Sequence, residues 1–268
     1  MDMPRLGQGT WNMGDSAGTR QAELAALREG IALGMTLIDT AEMYGDGRSE
    51  SLVGEAIAGA REQVFLVSKV LPSNASRKGV VQSCEASLKR LQTDYVDLYL
   101  LHWSGSYPLE DTVRGFEDLL AAGKIRSWGV SNLDLSEMKQ LVALAGGRAC
   151  AANQVLYNLA RRGIEFDLLP WCRKRTIPIM AYTPIEQGRV LGNRALAGVA
   201  TRLGATPAQV ALAWVLRQDG VVTIPKAGSV GHVRENRRAL DLTLDAAALK
   251  ALDAAFPPPR KARPLEML

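Results

Sequence analysis

Eight short apolar segments alternate with stretches of helical spacing along the 268-residue chain. The strand-like segments are residues 6–11, 36–39, 64–69, 96–102, 127–132, 152–155, 177–182 and 221–226. Apolar residues with helical spacing lie between them at Leu24/Leu27/Ile31, Val81/Cys84/Leu88 and Val113/Phe116/Leu120. Because buried parallel strands are apolar on both faces and need helical crossovers, this alternation predicts a parallel sheet covered by helices.

The number of units distinguishes between two α/β architectures. Eight strand–helix units in a chain of this length fit a single closed (β/α)8 TIM barrel better than an open doubly wound sheet. An open nucleotide-binding sheet also favours a GxGxxG fingerprint after its first strand, and residues 7–11 (GQGTW) lack that spacing. No linker rich in Pro, Gly or Ser divides the chain. We therefore predict one domain over residues 1–268, with a tail at 257–268 that wraps the barrel or extends from it.

Charge and composition argue against several other classes of protein. A hydrophobic fraction of 47%, a charged fraction of 22% and a mean hydropathy of −0.03 are typical of a globular chain rather than a disordered one. The net charge is +4 and the pI about 9.0, but the basic residues fall in short runs at 161–162, 173–175 and 237–238. Such runs are typical of solvated helix faces, so we expect no nucleic-acid partner, and the basic balance is compatible with an anionic small-molecule ligand.

The first residues and the cysteines bear on the cellular compartment. The N-terminal residues MDMPR lack the apolar stretch of a signal peptide, and no window of the sequence is long and apolar enough to span a bilayer. The three cysteines, Cys84, Cys150 and Cys172, show neither CxxC nor metal-ligand spacing. We expect a cytoplasmic protein with no membrane partner, no disulfide framework and no bound metal.

Seven of the eight predicted strands end in, or close to, one polar or ionisable side chain. These side chains are Asp39, Lys69, His102, Asn132, Gln154, Tyr182 and Lys226. Taken singly, each has an ordinary structural explanation, such as a helix cap, a solvated surface charge or a packed ring. Taken together, they would gather at the C-terminal mouth of a barrel, which is where the catalytic groups of such barrels lie.

The same residues belong to motifs that follow one another in a fixed order. The motifs are IDTAEMYG at 38–45 with Ser49-Glu50 and Val53-Gly54, then Ser68-Lys69, DLYLLHW at 97–103, GKIR at 123–126, GVSN at 129–132 and IPK at 224–226. In this order, and over nearly the whole chain, they resemble the aldo-keto reductase family. The resemblance implies a barrel enzyme that reduces an aldehyde or ketone to an alcohol, with NADPH as the preferred cofactor and NADH as an alternative.

The resemblance also implies roles for individual positions. The catalytic tetrad would be Asp39, Tyr44, Lys69 and His102, with Tyr44 as the proton donor. Ser131, Asn132 and Gln154 would contact the nicotinamide amide, and Tyr182 would stack on the nicotinamide ring. Further cofactor contacts would come from Thr10, Trp11, Asp39, Thr183, Pro184, Ile185, Glu186, Gln187, Gly188, Lys226, Ala227, Gly228, His232, Glu235 and Asn236, with residues 183–188 over the pyrophosphate and Lys226, Glu235 and Asn236 at the adenosine end. The substrate would lie among Trp11, Tyr44, His102 and Trp103.

These residue types suit hydride transfer to a carbonyl carbon, which develops negative charge on the carbonyl oxygen. An unperturbed tyrosine has a pKa of about 10 and is a weak acid at neutral pH. An ammonium at Lys69 would favour the phenolate form of Tyr44 and lower that pKa. Asp39 would pair with Lys69 and aim it, while His102 would donate a hydrogen bond that orients the carbonyl. This chemistry requires no metal.

The sequence differs from the family pattern in three places. The first strand begins almost at Met1, without the β-hairpin that commonly closes the barrel floor. The tail is too short for the long substrate-specificity loop of larger members, which predicts an open pocket for small aldehydes and dicarbonyls. His232 occupies a position that is often arginine, and Ala227 one that is often Ser or Thr. We therefore expect only a moderate preference for NADPH over NADH.

Two other interpretations fit part of the sequence. Some proteins of this fold are regulatory or channel-associated subunits that bind the cofactor and turn over slowly, but no additional segment for partner contact precedes the first strand. A Schiff-base enzyme with Lys69 as its nucleophile would explain neither Tyr44 nor the set of Ser131, Asn132 and Gln154. The favoured interpretation is a monomer that acts on a small carbonyl substrate.

Overall fold

The structure is a computed structural model that describes residues 3–268. Its strands form one parallel sheet in chain order: β1 (Gln8–Gly9), β2 (Leu37–Asp39), β3 (Phe65–Val70), β4 (Leu98–Leu101), β5 (Trp128–Ser131), β6 (Asn153–Leu156), β7 (Ile179–Tyr182) and β8 (Val221–Thr223). Parallel bridges from Leu6 to Thr223 and from Gly9 to Lys226 join β1 to β8 and close the sheet. The predicted (β/α)8 barrel is confirmed, while residues 1–2 of the predicted domain lie outside the described residues.

Ten α-helices occur within residues 3–268. They are α1 (Arg20–Ala32), α2 (Arg48–Ile57), α3 (Arg77–Leu91), α4 (Leu109–Ala121), α5 (Leu135–Ala143), α6 (Leu168–Arg173), α7 (Arg194–Leu203), α8 (Pro207–Leu216), α9 (Val230–Arg237) and α10 (Ala246–Ala255). α8 begins with a reciprocal cap, in which Gln209 N donates to Thr206 Oγ1 (3.2 Å) and Thr206 N donates to Gln209 Oε1 (3.0 Å). In the part of the chain described here, no helix combines the length and apolar character needed to cross a bilayer.

The predicted apolar helix faces are those that pack on the sheet, with small rotations. The buried members are Leu24, Leu27, Cys84, Leu88, Val113 and Phe116. Ile31, Val81 and Leu120 are only partly buried, and Val80 is fully buried beside Val81. The face of α3 that meets the sheet is therefore turned by about one residue from the predicted one.

A compact apolar cluster fills the inside of the barrel. Its members are Leu37, Val67, Leu98, Leu100, Ala152, Met180, Val222 and Ile224. Met3, Phe65 and Ala151 pack against this cluster, and Phe65 and Ala151 lie at the amino ends of their strands. Within residues 3–268, these side chains cover the floor of the barrel. A second, larger cluster between strands and helices forms the outer core.

The tail turns back toward the carboxyl ends of the strands. α10 ends at Ala255, and the prolines that follow cannot continue a helix. Beyond them, Glu266 Oε1 lies 2.6 Å from Arg161 Nη1, and Leu268 N donates to Tyr182 OH at 3.4 Å. The tail wraps the barrel and ends beside its mouth.

Candidate active site

The two-residue period of the strands places the polar strand ends inside the barrel mouth. Side chains of a strand alternate between its two faces, so a residue two positions beyond an interior residue points the same way. The interior residue and its polar successor are Leu37 and Asp39, Val67 and Lys69, Leu100 and His102, Ala152 and Gln154, Met180 and Tyr182, and Ile224 and Lys226. The gathering of side chains expected from the sequence is therefore a consequence of strand geometry.

Lys69 lies at the centre of this group and is fully buried. Its Nζ donates to Asp39 Oδ2 at 2.8 Å, to the backbone oxygen of Thr40 at 2.8 Å and to Tyr44 OH at 3.2 Å. The second carboxylate oxygen of Asp39 accepts a hydrogen bond from Gln154 Nε2 at 2.7 Å. All three ammonium protons and both carboxylate oxygens have partners, as a buried ion pair requires.

A tight turn after β2 brings Tyr44 over Lys69. Residues Tyr44–Gly47 form a 3₁₀ turn in which Gly45 (φ 56°) and Asp46 (φ 50°) are left-handed. The left-handed φ of Gly45 favours glycine, and a Cβ there would also have to displace the Asp15 carboxylate. The Lys69 Nζ lies 4.8 Å from the centre of the Tyr44 ring. The ring of His102 lies 5.8 Å from that of Tyr44, at an angle of 71°.

Burial and mutual charge set the ionisation states of these groups. Burial raises the pKa of Tyr44, and Lys69 opposes that rise only in part, so the phenol is protonated at neutral pH. Burial would lower the pKa of Lys69, but Asp39 and Tyr44 more than compensate and raise it, so the amine is charged. Burial, followed by the charge of Lys69, lowers the pKa of His102 to about 3. The site thus combines a neutral acid, a fixed cation and a neutral imidazole.

A cavity of about 760 Å³ opens above these groups. Thirteen of the predicted cofactor residues line it: Thr10, Trp11, Asp39, Ser131, Asn132, Gln154, Tyr182, Thr183, Pro184, Ile185, Gln187, Gly188 and Lys226. The predicted substrate residues Trp11, Tyr44, His102 and Trp103 line it as well. Sequence reasoning missed Gly9, Asn12, Met43, Ile224, Met267 and Leu268, which also face it. No local signal marks Met267 and Leu268, because only the path of the tail brings them there.

Hydrogen bonds fix the polar wall opposite Tyr44. Tyr182 OH donates to Asn132 Oδ1 at 3.0 Å, and Asn132 Nδ2 donates to the backbone oxygen of His102 at 3.2 Å. Asn132 is left-handed (φ 59°), a conformation that asparagine tolerates better than most residues. Ser131 Oγ donates to the backbone oxygen of Gln154 at 2.9 Å. These bonds hold amide and hydroxyl groups in place at the cavity wall.

The loop after β7, residues 183–188, is strained and held by a buried carboxylate. Glu186, Gln187 and Gly188 are left-handed in succession, with φ of 50°, 54° and 87°. Glu186 is 4% exposed. Its carboxylate accepts hydrogen bonds from Asn158 Nδ2 (2.7 Å), Arg161 Nη2 (3.0 Å) and Arg189 Nη2 (2.9 Å). Burial opposes ionisation, but these donors outweigh it and lower the pKa of Glu186. Consecutive left-handed residues are costly, and here the carboxylate supplies the compensating bonds.

The remaining predicted cofactor residues lie apart from the cavity wall. Ala227 and Gly228 follow β8, and His232, Glu235 and Asn236 belong to α9. The backbone nitrogen of His232 donates to Ser229 Oγ at 3.3 Å, which caps the helix, while its side chain is exposed. Lys226 is the residue of this region that reaches the cavity. The structure therefore brings together the four predicted tetrad residues and the residues predicted to contact the nicotinamide. Of the three residues predicted at the adenosine end, it brings Lys226 to the cavity and leaves Glu235 and Asn236 in α9, away from the cavity wall.

Comparison with known proteins agrees with this geometry. A family model described as the aldo/keto reductase family matches residues 5–256. The chain belongs to this family. Membership confirms the predicted enzyme class, an NADP(H)-dependent oxidoreductase that reduces aldehyde and ketone carbonyls.

Individual relatives cover almost all of this aldo/keto reductase. Methylglyoxal reductase YeaE of Escherichia coli (strain K12) is 54% identical over 273 residues, which span 100% of this chain and 96% of that protein. A crystal structure of an aldo/keto reductase from Klebsiella pneumoniae in complex with NADP and acetate is 52% identical, with a TM-score of 0.98 over 99% of this chain and 96% of that one. A second Klebsiella pneumoniae structure, in complex with NADPH, has the same TM-score and identity and covers 99% and 95%.

Proposed function

We propose that this aldo/keto reductase reduces small, uncharged aldehydes and α-dicarbonyls such as methylglyoxal, with NADPH as the hydride source. The observation that carries the proposal is the buried Lys69 ammonium. Its Nζ donates to both Asp39 and Tyr44, and the hydroxyl-bearing ring of Tyr44 lines the cavity of about 760 Å³ at the barrel mouth. A supported acid at the floor of a cofactor-sized cavity is what carbonyl reduction needs.

The chemistry of the cavity wall fits a nicotinamide dinucleotide phosphate. Its volume, about 760 Å³, lies within the range of roughly 300–1,000 Å³ that small-molecule and cofactor sites occupy. Ser131, Asn132 and Gln154 would hold the carboxamide and Tyr182 would stack on the ring. Residues 183–188 would cover the pyrophosphate. Lys226 would pair with the 2′-phosphate as a point charge. When bound, the reduced nicotinamide supplies a hydride to the carbonyl carbon.

Tyr44 would act as the general acid. As the carbonyl carbon is reduced, the carbonyl oxygen gains electron density and takes the proton of Tyr44 OH, and solvent later reprotonates the phenolate. The Nζ atom of Lys69 lies 3.2 Å from the hydroxyl oxygen of Tyr44 and stabilises the phenolate that forms there. Asp39 and Thr40 hold the ammonium in place through bonds of 2.8 Å each. A cation is therefore already in place to stabilise part of the charge that proton loss leaves on Tyr44.

His102 would orient the substrate rather than exchange a proton with it. Its low pKa keeps the imidazole neutral throughout the physiological range. Nδ1 is buried and has no hydrogen-bond partner in the described part of the chain, which leaves Nε2 as the ring nitrogen that can face the cavity. A neutral imidazole with its proton on Nε2 can donate one hydrogen bond to the carbonyl oxygen. Tyr44 would donate the second.

The cavity wall favours small carbonyls without a negative charge. Trp11 is 45% exposed, and Met43, Met267 and Leu268 are similarly accessible at the rim. Among the described residues that line the cavity, Lys226 is the one exposed cation, and it is expected at the phosphate. A substrate carboxylate would find no arginine beside the reacting carbonyl. The name of the Escherichia coli relative, a methylglyoxal reductase, agrees with this preference.

The ionisation of Lys69 argues against a Schiff-base reaction. A nucleophilic amine must be neutral, whereas Asp39 and Tyr44 raise the pKa of Lys69 and keep it charged. Borohydride added with substrate should therefore trap no covalent adduct.

A regulatory subunit would bind NADPH but consume it slowly, so the rate of NADPH consumption distinguishes that role from an enzymatic one.

The deciding experiment measures NADPH consumption with methylglyoxal and with a 2-oxo acid of similar size. We expect steady turnover of methylglyoxal and a much lower kcat/KM for the anion. Tight NADPH binding without turnover of any aldehyde would contradict the enzymatic role. Equal efficiency with both substrates would contradict the charge preference alone.

We further propose that the protein works as a cytoplasmic monomer. A single chain supplies the thirteen residues of the cofactor wall and the four tetrad residues, so the proposed chemistry needs no residue from a second subunit. The three cysteines, Cys84, Cys150 and Cys172, are buried free thiols whose pKa values burial raises to about 12, as suits a reducing compartment. Light scattering at assay concentration tests the oligomeric state.

A further inference from the structure

One side chain joins the cofactor loop to the wall of the substrate cavity. Arg161, which follows β6, donates from Nε and Nη2 to Glu186 Oε1 at 3.1 and 3.0 Å, and from Nη1 to Glu266 Oε1 at 2.6 Å. Glu186 is the buried carboxylate that holds the strained loop 183–188. Glu266 belongs to residues 263–268, here called the strap. A single guanidinium thus forms ion pairs with two segments that lie far apart in sequence.

The strap has few other attachments. Leu265 packs against the outer core, and Leu268 N reaches Tyr182 OH at 3.4 Å. Beneath it, a cavity of about 320 Å³ separates residues 263–266 from α5 and α6. A segment that spans a cavity lacks close packing on that side, so its position depends on its end contacts.

The strap carries part of the substrate wall. Met267 and Leu268 line the large cavity, together with Tyr182, Trp11 and Trp103. Tyr182 is the ring expected against the nicotinamide, so the end of the strap touches the cofactor side and the substrate side at once. A shift of the strap would move apolar surface away from a small substrate.

We propose that Arg161 is a positioning residue that couples the cofactor loop to the strap, so that ordering of the loop by NADPH also narrows the substrate cavity. This proposal rests on the proposed function for its kinetic readout. By linkage, a coupling that lets the cofactor order the strap also lets the ordered strap favour cofactor binding. Arg161 and Glu266 are about 36% and 42% exposed, so their bond is worth only the modest amount typical of exposed ion pairs.

The kinetic test compares Arg161→Met and Glu266→Gln with the wild type. We expect Glu266→Gln to raise KM for methylglyoxal about two- to fivefold, the effect of losing one exposed pair, with kcat nearly unchanged because neither residue touches the tetrad. Arg161→Met also removes two bonds to the buried Glu186, so it should raise KM at least as much. For a bulky aromatic aldehyde we expect KM to stay level or to fall. Arg114→Met is the matched control, since Arg114 forms an exposed pair with Glu110 (2.7 Å) on α4, remote from the strap. It should behave as wild type.

Hydrogen exchange tests the coupling without turnover. In the wild type, NADPH should slow exchange in residues 263–268, and Arg161→Met should abolish that protection. Arg189→Met removes another donor to Glu186 but leaves the bond between Arg161 and Glu266, so strap protection should persist. The proposal is overturned if NADPH does not slow hydrogen exchange in the strap. It is also overturned if Arg161→Met and Arg114→Met have equal KM values for methylglyoxal, or if Arg161→Met raises KM equally for methylglyoxal and the bulky aldehyde. A wild type without turnover would refute the proposed function, and the exchange measurement would still decide the coupling.

Discussion

Replacing Lys69 by methionine removes the one cation that the proposed acid depends on. Methionine preserves much of the side-chain volume and deletes three hydrogen bonds, to Asp39, Thr40 and Tyr44. It also leaves the Asp39 carboxylate buried without its counter-ion. Breaking a buried ion pair from one side costs about 3–5 kcal/mol. Since Gln154 still bonds to Asp39 at 2.7 Å, we expect the lower end, about 3 kcal/mol.

This loss should appear first as a change in thermal stability. For a protein of this size, about 3 kcal/mol corresponds to a fall in Tm of roughly 6–12 °C. The double variant Asp39→Asn/Lys69→Met removes both charges, so no uncompensated carboxylate remains. It should recover a substantial part of the lost Tm. Calorimetry on the wild type, the single variant and the double variant checks this sequence.

Activity separates catalysis from stability in the same set of variants. Without Lys69 the phenolate of Tyr44 loses the cation that stabilises it. We therefore expect kcat to fall ~10²–10⁴-fold, which is the typical contribution of a general acid. Residual activity should shift to higher pH, and the double variant should regain stability without regaining turnover. A Lys69→Met protein with unchanged Tm and unchanged kcat would refute the reasoning on both counts.

Three further changes test other parts of the site. Tyr44→Phe should lower kcat by ~10²–10⁴-fold and leave NADPH binding nearly intact, measured by turnover and by a binding titration. The folded-state pKa of His102 is about 3, against 6.5 for the free side chain. The free energy of unfolding should therefore decrease as the pH is lowered from 6.5 to about 3, by up to about 1.4 kcal/mol per pH unit. The unfolded chain takes up the proton there and the folded chain does not, so His102→Gln should flatten the slope in denaturant titrations. His232→Arg should raise the NADPH/NADH ratio of kcat/KM, because arginine adds a permanent charge beside the expected phosphate; an unchanged ratio would show that His232 does not contact the phosphate.

The strands were predictable because apolar runs mark them, and the ends of these runs include Asp39, Lys69 and His102. Tyr44 lies in a turn and was assigned only by the resemblance to the aldo-keto reductase family. The same runs overestimated strand length. Residues 6–11 were predicted as one strand, whereas β1 covers only Gln8–Gly9, because a turn begins at Thr10, whose backbone oxygen accepts a hydrogen bond from Met13 N at 2.9 Å. Apolar patterning does not show where a turn ends a strand.

The strap and the loop behind it had no comparable signal. Glu186 lies in a recognisable segment, but its role depends on Arg161, 25 positions earlier, and on the path of a proline-containing tail. No periodicity links Arg161 to Glu266, and a charged residue on its own is most simply a solvated one. Their pairing follows from the closed barrel, which brings the ends of β6 and β7 and the tail to one rim.

Strand rules therefore locate three residues of the tetrad but not the walls that select the substrate. Asp39, Lys69 and His102 lie at or just after strand ends, where geometry leaves little freedom, and the charges of Asp39 and Lys69 are paired at 2.8 Å. The substrate wall is assembled from Trp11 in a turn, Trp103 after β4 and Met267 in the strap, three segments whose relative positions only the folded barrel defines. A change at Met267 should consequently alter which aldehydes are accepted while the chemistry at Tyr44 is unaffected. Conservation of chemistry with divergence of substrate is the behaviour expected when a rigid scaffold holds the acid and a tail forms the wall.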